Sequence, residues 1–369
     1  MRKRSTEASN ETRERGVARG LTVGVDVGDR YSYYCVLDGA GGVVEEGRIP
    51  TTRDGLRRQF GKSSAMRIAL EVGTHSPWAS RLLEELGHEV LVANPRRLRM
   101  IYQNRSKQDR LDARALARVA RMDPALLSAV EHRPERMAQD LSVLRARDLL
   151  VRTRTKLVNH VRGAVKATGN RLRRCSTRRF AEEVPEQLPS AMQEALKPVL
   201  SAIEAVSEQI RQMDKRVEGL CQKSYPETTV LRQVPGVGPK VALSYVLTLQ
   251  SPDRFRSSRA VGAYLGLVPA RRQSGQQDPQ LRITKEGDEY ARRMLVQAAQ
   301  YILGPFGPNS DLKRFGKRLA ERGGKNARKR AVVAVARKLA VVLHRLWRTG
   351  EVYEPFRQPT RNSDVAPAA

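Results

Sequence analysis

Two apolar segments of this chain contain a carboxylate at a position typical of a buried β-strand. Asp26 lies in the run LTVGVDVG, and Glu71 ends the run RIALEVG. An unpaired charge is costly in apolar surroundings, so each carboxylate is expected to have a bonding partner or a functional role. Asp109 and Asp112 follow at a spacing of three, which places both on one face of a helix. The fold is therefore expected to combine two strands and a helix that all bear acidic side chains.

Residues 21–125 alternate between strand-like and helix-like segments. Three strand-like segments come first, and their short connections predict an antiparallel meander. Helical segments then alternate with two further strands, and Gly87 is placed to end one of these helices. Three antiparallel strands followed by parallel crossovers are the order of the RNase H-like (RuvC-like) α/β fold, which we expect here.

The charge of the chain indicates the kind of partner. There are 68 Lys and Arg residues against 39 Asp and Glu residues, a formal net charge of +29. This excess predicts a polyanionic partner, and nucleic acid is the usual one. Acidic lipid could also attract a basic chain, but no segment contains 18 uncharged apolar residues, so we expect no membrane partner.

The N-terminus and the cysteines bear on the location of the protein. Residues 1–20 contain no long apolar stretch, so we expect a disordered basic tail rather than a signal peptide. The three cysteines form no CxxC pair, which indicates a reducing compartment and no zinc site. We expect a cytoplasmic, nucleoid-associated protein in which oxygen atoms hold any metal.

The four carboxylates are suited to cleavage of a phosphodiester. Two Mg²⁺ ions about 3.5–4 Å apart can activate a nucleophile and stabilise the leaving oxygen. Because Mg²⁺ requires hard oxygen ligands, we predict that it is held by Asp26, Glu71, Asp109 and Asp112.

Each of these carboxylates could instead have a purely structural role. Asp112 could pair with Arg114 or Arg105, and Glu71 could cap the following helix. The segment VGVDVGD also resembles the first phosphate loop of actin-like and sugar-kinase folds. The chain has no second copy of that unit, and its charge does not suit a small-metabolite kinase, so this interpretation ranks below the nuclease-like one.

Residues 131–225 are expected to form a helical arm. Apolar residues alternate spacings of three and four, which is typical of a coiled coil. These residues are Leu196, Val199, Ile203, Val206, Ile210, Met213, Val217 and Leu220. Two interpretations stay open, an antiparallel helical hairpin with a solvated face or a dimerising coiled-coil arm that lays a basic helix on nucleic acid. A polar loop is expected to interrupt the arm around 175–195.

Residues 226–352 are expected to form a mainly α domain. The segment QVPGVGPK resembles a helix-hairpin-helix turn, in which Gly236 and Gly238 free the backbone so that its amides can face a phosphate. An ordinary turn between helices is the alternative. Residues 311–350 are strongly basic, which favours phosphate contact over a merely solvated face. Residues 353–369 are expected to be a disordered tail.

In combination these motifs resemble the insertion-sequence 110 family of transposases, which are bridge-RNA-guided recombinases. The resemblance covers about residues 21–350. It rests on GVDV at 24–27, EVGT at 71–74, KQDRLDA at 107–113, PGVG at 235–238, the run 255–269, SG at 274–275 and ITKEG at 283–287. Gln108 stands where the family usually has Thr or Ser, and both aspartates of that motif are present.

The resemblance implies a RuvC-like domain with an Asp-Glu-Asp-Asp tetrad and a C-terminal transposase domain in which Ser274 is the nucleophile. The serine would form a covalent phosphoserine link to DNA, next to two Mg²⁺ ions in a composite site. Partners would be target and donor DNA duplexes, a structured guide (bridge) RNA, and further copies of the chain in dimers and tetramers. The residues expected to contact nucleic acid are Gly236, Gly238, Lys240, Arg271, Arg272, Arg282, Lys285, Arg292, Arg293, Lys325, Arg328, Lys329 and Arg330.

Two other functions remain possible on the sequence. One is a RuvC-like, Mg²⁺-dependent nuclease or junction resolvase that uses water as its nucleophile. The other is a basic, non-catalytic RNA- or DNA-binding scaffold. The expected domain boundaries are a tail at 1–20, a RuvC-like domain at 21–130, a helical arm at 131–225, a serine-bearing transposase domain at 226–352 and a tail at 353–369.

Overall fold

The computed structural model describes residues 20–95, 108–274, 279 and 281–356. The chain divides into two compact units, and the boundary falls between Arg133 and Pro134. The first unit is an α/β domain, and the second is mainly helical.

Unit 1 is built on a five-stranded mixed sheet. The strand order is β3-β2-β1-β4-β5. The first three strands are antiparallel neighbours, and β4 and β5 run parallel to β1. The strands are β1 Thr22–Val27, β2 Tyr31–Leu37, β3 Val43–Pro50, β4 Arg67–Glu71 and β5 Glu89–Ala93. The predicted meander followed by parallel strands is confirmed.

Three helices cover the two faces of this sheet. They are α1 Arg53–Phe60, α2 Ser76–Glu85 and α3 Asp109–Met122. Helices α1 and α2 share a core with one face, in which Leu56 and Leu82 pack among the strand residues Val25 and Leu70. Gly87 has φ +89° just after α2, as expected for a glycine that ends a helix.

Helix α3 lies on the other face, in backbone contact with β1. A methyl group at Gly24 would overlap the carbonyl oxygen of Ala113 and the amide nitrogen of Ala117, so only glycine allows this approach. Arg121, near the end of α3, donates to the carbonyl of Gly39 at 2.8 Å, beyond the end of β2 that pairs with the start of β1. Helix α3 therefore runs antiparallel to β1 and begins beside the carboxyl end of that strand.

Unit 2 begins with a long helical hairpin. Its arms are α4 Glu135–Ala167 and α6 Ser190–Lys223. Near the turn, Val161 of α4 packs in one cluster with Ile203 of α6. At the open end, Leu144 of α4 shares a cluster with Val217. The two helices are therefore antiparallel partners within one chain.

Helix α6 carries the apolar stripe that the sequence indicates. Within the stripe, the residues at every seventh position are buried, and the stripe residues between them are half-buried. The buried set is Leu196, Ile203, Ile210 and Val217, and the half-buried set is Val199, Val206, Met213 and Leu220. Val199, Met213 and Leu220 of the half-buried set also pack against the core clusters of unit 2. The hairpin interpretation thus accounts for most of the stripe, and dimerisation of the arm stays a prediction.

The connection between α4 and α6 differs from the expected polar loop at 175–195. Helix α4 ends at Ala167, and Gly169 follows with φ +79°. A short helix, α5 Phe180–Glu183, then inserts the fully buried ring of Phe180 into the hairpin core. The segment is structured because the apolar ring of Phe180 is buried, although most of its neighbours in sequence are hydrophilic. Helix α6 starts at Ser190, within the range expected for the loop.

The rest of unit 2 surrounds one buried helix. The remaining helices are α7 Thr228–Leu231, α8 Pro239–Leu249, α9 Ala260–Tyr264, α10 Glu289–Leu303, α11 Asp311–Glu321 and α12 Ala327–Thr349. Every residue of α8 from Val241 to Leu249 is buried. Gly236 adopts φ +89° in the turn before α8, and Gly238 is the N-cap, as expected for the predicted turn between helices. No described helix combines the length and hydropathy needed to cross a membrane.

We expect Gly24→Ala to destabilise unit 1, because the added methyl group must push α3 away from β1. Such overpacking typically costs about 1–3 kcal/mol. Urea unfolding followed by circular dichroism measures this loss. Gly39→Ala is the matched control, since a methyl group there has no neighbour within 4 Å. Equal stability of the two variants would contradict the close backbone contact.

Candidate functional site

Asp26 and Glu71 lie side by side at the carboxyl ends of two parallel strands. Val25 of β1 is in register with Leu70 of β4, so the next position on each strand brings the two acidic residues next to each other. Both side chains are half-buried. This placement comes from the strand pairing alone and does not depend on a bound ion.

Both residues are on the sheet face that α3 covers. Side chains alternate along a strand, so Asp26 shares its face with Gly24, and Glu71 shares its face with Ala69. Gly24 meets the backbone of α3, and Ala69 packs against Leu116 of that helix. Asp26 and Glu71 are therefore on the side of the sheet where α3 lies.

The other two acidic residues occupy the first turn of α3. The helix starts at Asp109, and Asp112 follows in the same turn. A carboxylate near a helix N-terminus is stabilised by the unpaired amide groups and the helix dipole. Asp109 is exposed and Asp112 is half-buried. Since α3 begins beside the carboxyl end of β1, the structure places all four predicted ligands at one end of the sheet.

The donor set fits Mg²⁺, because it consists only of carboxylate oxygens. Within the described residues, however, no three His, Cys, Asp or Glu side chains lie close enough together to hold a metal ion. Arg105 and Lys107, which the sequence associates with this site, lie outside the described residues. The helix that follows Glu71, α2, has His75 at its N-cap, and His75 makes no side-chain cap hydrogen bond; capping by Glu71 stays an alternative.

A carboxylate that the sequence does not single out lies beside α3. Glu46 of β3 accepts hydrogen bonds from Arg110 at 2.6 and 2.9 Å and from Arg114 at 2.7 and 2.8 Å. Its side chain is only 8% exposed. The alternation of β3 could have indicated that one of two adjacent glutamates faces inward, but not which of them has arginine partners.

The surroundings of Glu46 change its protonation. The hydrogen bonds from Arg114 and Arg110 lower the pKa of Glu46 to about 2, against the opposing effect of burial. Burial, reinforced by the neighbouring Glu46 carboxylate, raises the pKa of the Cys35 thiol to about 11. Glu46 is therefore charged and Cys35 neutral at any physiological pH.

Ser274 lies in unit 2, on the segment that joins the two sides of a short antiparallel ribbon. The amide of Ala270 donates to the carbonyl of Arg282 at 2.8 Å, and the amide of Thr284 donates to the carbonyl of Val268 at 2.9 Å. Ser274 itself is exposed. Its neighbour in the SG motif, residue 275, lies outside the described residues.

The base of this ribbon is held by backbone contacts and by one arginine. Gly266 and Gly287 both have positive φ, and a methyl group on either would overlap backbone of the opposite side. Arg292 donates from Nη1 to the carbonyl of Leu265 at 3.0 Å and to that of Glu286 at 2.7 Å. The arginine thus joins both sides of the ribbon at its base.

The residues predicted to contact nucleic acid fall into two groups. Those with exposed side chains are Arg271, Arg272, Arg282, Lys285, Lys325, Arg328, Lys329 and Arg330. Three others have partners inside the protein: Arg292 as described, Arg293 with Asp148 at 2.7 Å and Lys240 with Asp214 at 3.6 Å.

The two glycines of the predicted phosphate-binding turn differ in their surroundings. Gly238 leaves the start of α8 without a side-chain cap, and a methyl group there would meet nothing within 4 Å. Gly236 is packed against the ring of Tyr301 and the carbonyl oxygen of Ala298. Gly238 therefore has room for a phosphate, whereas the conformation of Gly236 serves to form the turn.

Two family models match this chain. A model of DEDD transposases of the IS110 group, described as "Transposase", matches residues 23–170. A second, described as "Transposase IS116/IS110/IS902 family", matches residues 228–311. Together they match more than half of the chain, and the matched ranges include the four carboxylates and Ser274.

Curated bacterial proteins are similar over most of the chain. The "Transposase for insertion sequence element IS1111A" of Coxiella burnetii is 28% identical over 344 residues, which is 90% of each chain. The "Probable family 20 transposase" of Pseudomonas aeruginosa is 28% identical over 296 residues, 78% of this chain and 86% of that protein. The "Transposase for insertion sequence element IS1328" of Yersinia enterocolitica is 27% identical over 240 residues, 64% of this chain and 70% of that protein.

We expect the stabilising effect of Glu46 to disappear in acid. Its pKa is lowered from 4.5 to about 2 in the folded protein, so its contribution is complete above the unfolded value and is lost as the pH falls toward 2. Glu46→Gln should lower the free energy of unfolding by about 1.5–3 kcal/mol at neutral pH, the usual worth of a hydrogen bond to a charged group. Urea unfolding between pH 7 and pH 3 measures the difference between variant and parent. A difference independent of pH would contradict this assignment.

We expect Arg292→Met to loosen the serine-bearing ribbon, because the variant loses the hydrogen bonds to both sides of its base. Amide hydrogen exchange at Ala270 and Thr284 should become roughly tenfold faster, as for the loss of about 1.4 kcal/mol of local stability. Arg271→Met, which removes an exposed arginine from the same ribbon, is the control and should leave both amides protected. Unchanged exchange in Arg292→Met would show that the glycine contacts alone hold the base.

Proposed function

The chain belongs to the IS110 family of transposases and is a DNA-recombining enzyme, and from this premise we propose that it cuts and rejoins DNA with a serine nucleophile under RNA guidance. The observation that carries the proposal is the placement of four carboxylates at one end of a sheet, in a chain that also exposes a serine among arginines. The carboxylates suit a metal-dependent phosphoryl transfer. The serine and its arginines suit a transfer through a covalent link between protein and DNA.

We infer an RNase H-like fold for unit 1. Three antiparallel strands are followed by two strands parallel to the first, in the order β3-β2-β1-β4-β5. The carboxylates of β1 and β4 lie where parallel strands end, a usual place for an active site in open α/β sheets. The long hairpin of α4 and α6 would serve as the coiled-coil arm.

Mg²⁺ would be held by Asp26, Glu71, Asp109 and Asp112. When bound, it would supply positive charge that offsets the charge developing on the scissile phosphate. The side chains do not form a closed set of ligands in the described residues, so we infer that side-chain movements complete the site when the ion and the DNA bind.

Ser274 would attack the phosphorus atom with its Oγ. A bond forms between Oγ and phosphorus, and the bond between phosphorus and one deoxyribose oxygen breaks. A carboxylate acts as the base and accepts the proton of the serine hydroxyl. The released deoxyribose oxygen is protonated. The phosphoserine link keeps the energy of the broken bond, so a second DNA hydroxyl can displace the serine without ATP.

The arginines around Ser274 would hold the phosphate. Arg271, Arg272 and Arg282 are exposed on the same ribbon as the serine, and guanidinium groups bind phosphate oxygens in a bidentate manner. The carboxylates lie in unit 1 and the serine in unit 2. By analogy with the family we propose that the two sets act together in an assembly of several protomers.

RNA guidance follows from the family resemblance and is supported by the net charge of +29. A chain that holds a structured RNA as well as DNA needs many phosphate contacts, while base pairing by the RNA selects the sequence. A water-using, Mg²⁺-dependent nuclease is the second candidate. The observation that favours it is that unit 1 by itself contains all four carboxylates.

We expect Ser274→Ala to abolish the covalent link between protein and DNA and to reduce recombination by more than about 10³-fold, as for loss of a nucleophile. Denaturing gels with end-labelled DNA detect the adduct. Ser257→Ala, another exposed serine of unit 2, is the matched control and should react like the parent. Cleavage that survives in Ser274→Ala, without an adduct, and is lost in Asp26→Asn would establish the nuclease instead.

Two further arms of this experiment test the other parts of the proposal. Recombination should depend on an RNA that copurifies with the protein and should stop after treatment with ribonuclease. A mixture of Ser274→Ala and Asp26→Asn proteins should regain activity if different protomers contribute the two sets of residues. An RNA-independent reaction would contradict guidance, and a mixture without activity would contradict shared sites.

A further inference from the structure

The first turn of α3 must be held in a fixed position if Asp109 and Asp112 bind a metal ion. The first turn of a helix lacks internal partners for its amide groups and tends to fray. Gln108, the N-cap of α3, makes no side-chain cap hydrogen bond. Two candidate ligands therefore lie on a turn that its own cap does not hold in place.

Glu46 provides the missing support from across the sheet. Its carboxylate accepts hydrogen bonds from the guanidinium groups of Arg110, in the first turn of α3, and of Arg114, one turn later. Such paired, charge-assisted hydrogen bonds fix orientation as well as distance. Glu46 is only 8% exposed and Arg114 is 30% exposed, so their contact is better shielded from solvent than a surface ion pair, whereas Arg110 is 65% exposed.

The strand register connects this contact to the rest of the site. Glu46 is in register with Cys35 of β2, and Cys35 is in register with Gly24 of β1. At Gly24 the sheet meets the backbone of α3 beside Ala113. Helix α3 is thus held at two points in one line across the sheet, by backbone contact at β1 and by two arginines at β3.

Glu46 also holds a guanidinium group that is next to the candidate ligands in sequence. Arg110 lies between Asp109 and Asp112 in sequence, and its guanidinium could pair with either carboxylate if it had no other partner. A guanidinium there would compete directly with a divalent cation for the same oxygens. The bond to Glu46 orients Arg110 toward β3.

We propose that Glu46 is a positioning residue for the metal-binding carboxylates, acting through Arg110 and Arg114. It fixes the first turn of α3 and keeps the two guanidinium groups on the β3 side of the helix. The inference rests on the proposed function, because it takes Asp26, Glu71, Asp109 and Asp112 as the Mg²⁺ site. A purely structural role would lower stability without changing the affinity for the ion.

The test compares Mg²⁺ binding in Glu46→Gln and Glu89→Gln, using full-length protein. Glu89 pairs with Arg67 at 2.9 Å, at the amino ends of β4 and β5, away from the carboxylates, so its variant is the matched control. The readout is the rise in the unfolding temperature with Mg²⁺ concentration, since an ion that binds the folded state stabilises it by mass action. The Mg²⁺ concentration for half-maximal DNA cleavage is a second readout.

We expect Glu46→Gln to need roughly tenfold more Mg²⁺ in both readouts, the lower end of the effect of residues that orient metal ligands. Glu89→Gln should match the parent protein. Arg114→Lys, which keeps the charge but loses the two-point contact, should shift both readouts in the same direction by less, and it replaces Glu46→Gln if that variant does not fold.

Asp26→Asn separates the role of Glu46 from the metal site itself. If Asp26→Asn abolishes the Mg²⁺ effect and Glu46→Gln behaves like the parent, the role of Glu46 is wrong and the metal site stands. If Mg²⁺ stabilises the parent and Asp26→Asn equally, the metal site is wrong and the role of Glu46 fails with it.

Discussion

The arrangement of unit 1 depends on the backbone contact between Gly24 and α3. The absence of a side chain at this one position lets the helix lie directly on β1. A larger residue would separate the first turn of α3 from the strand ends that carry Asp26 and Glu71. The carboxylate site is thus determined by a residue that carries no functional group at all.

The local structure of unit 1 could largely be predicted from its sequence, because each element has a clear signal. Alternating apolar residues marked the strands, and short connections indicated which of them are antiparallel. The candidate ligands were found because Asp26 interrupts an apolar run. Glu46 was not found, because its importance comes from pairing across two strands with arginines 64 and 68 residues further along the chain. No local pattern contains that information.

For the helical arm, too, a local sequence pattern does not identify the partner. A seven-residue repeat identifies a helix with an apolar stripe, yet it does not say whether the partner is the same chain or another one. In the structure α4 covers the buried half of the stripe. The charge excess is equally ambiguous in sequence. Arg110, Arg114, Arg292 and Arg293 are used inside the protein, whereas Arg271, Arg272 and Arg282 extend into solvent.

The position of Glu46 on the outermost strand has a consequence for solubility. An edge strand exposes unpaired backbone groups and can recruit the edge of another molecule, which leads to aggregation. The carboxylate of Glu46 faces α3 and is only 8% exposed, and an inward-pointing charge on an edge strand is one of the features that discourage such pairing. Pro50 at the end of β3 also lacks an amide hydrogen to offer. The carboxylate that binds the two arginines of α3 thus also discourages edge-to-edge association. This matters for a basic protein, because one polyanion can bind many copies of it close together.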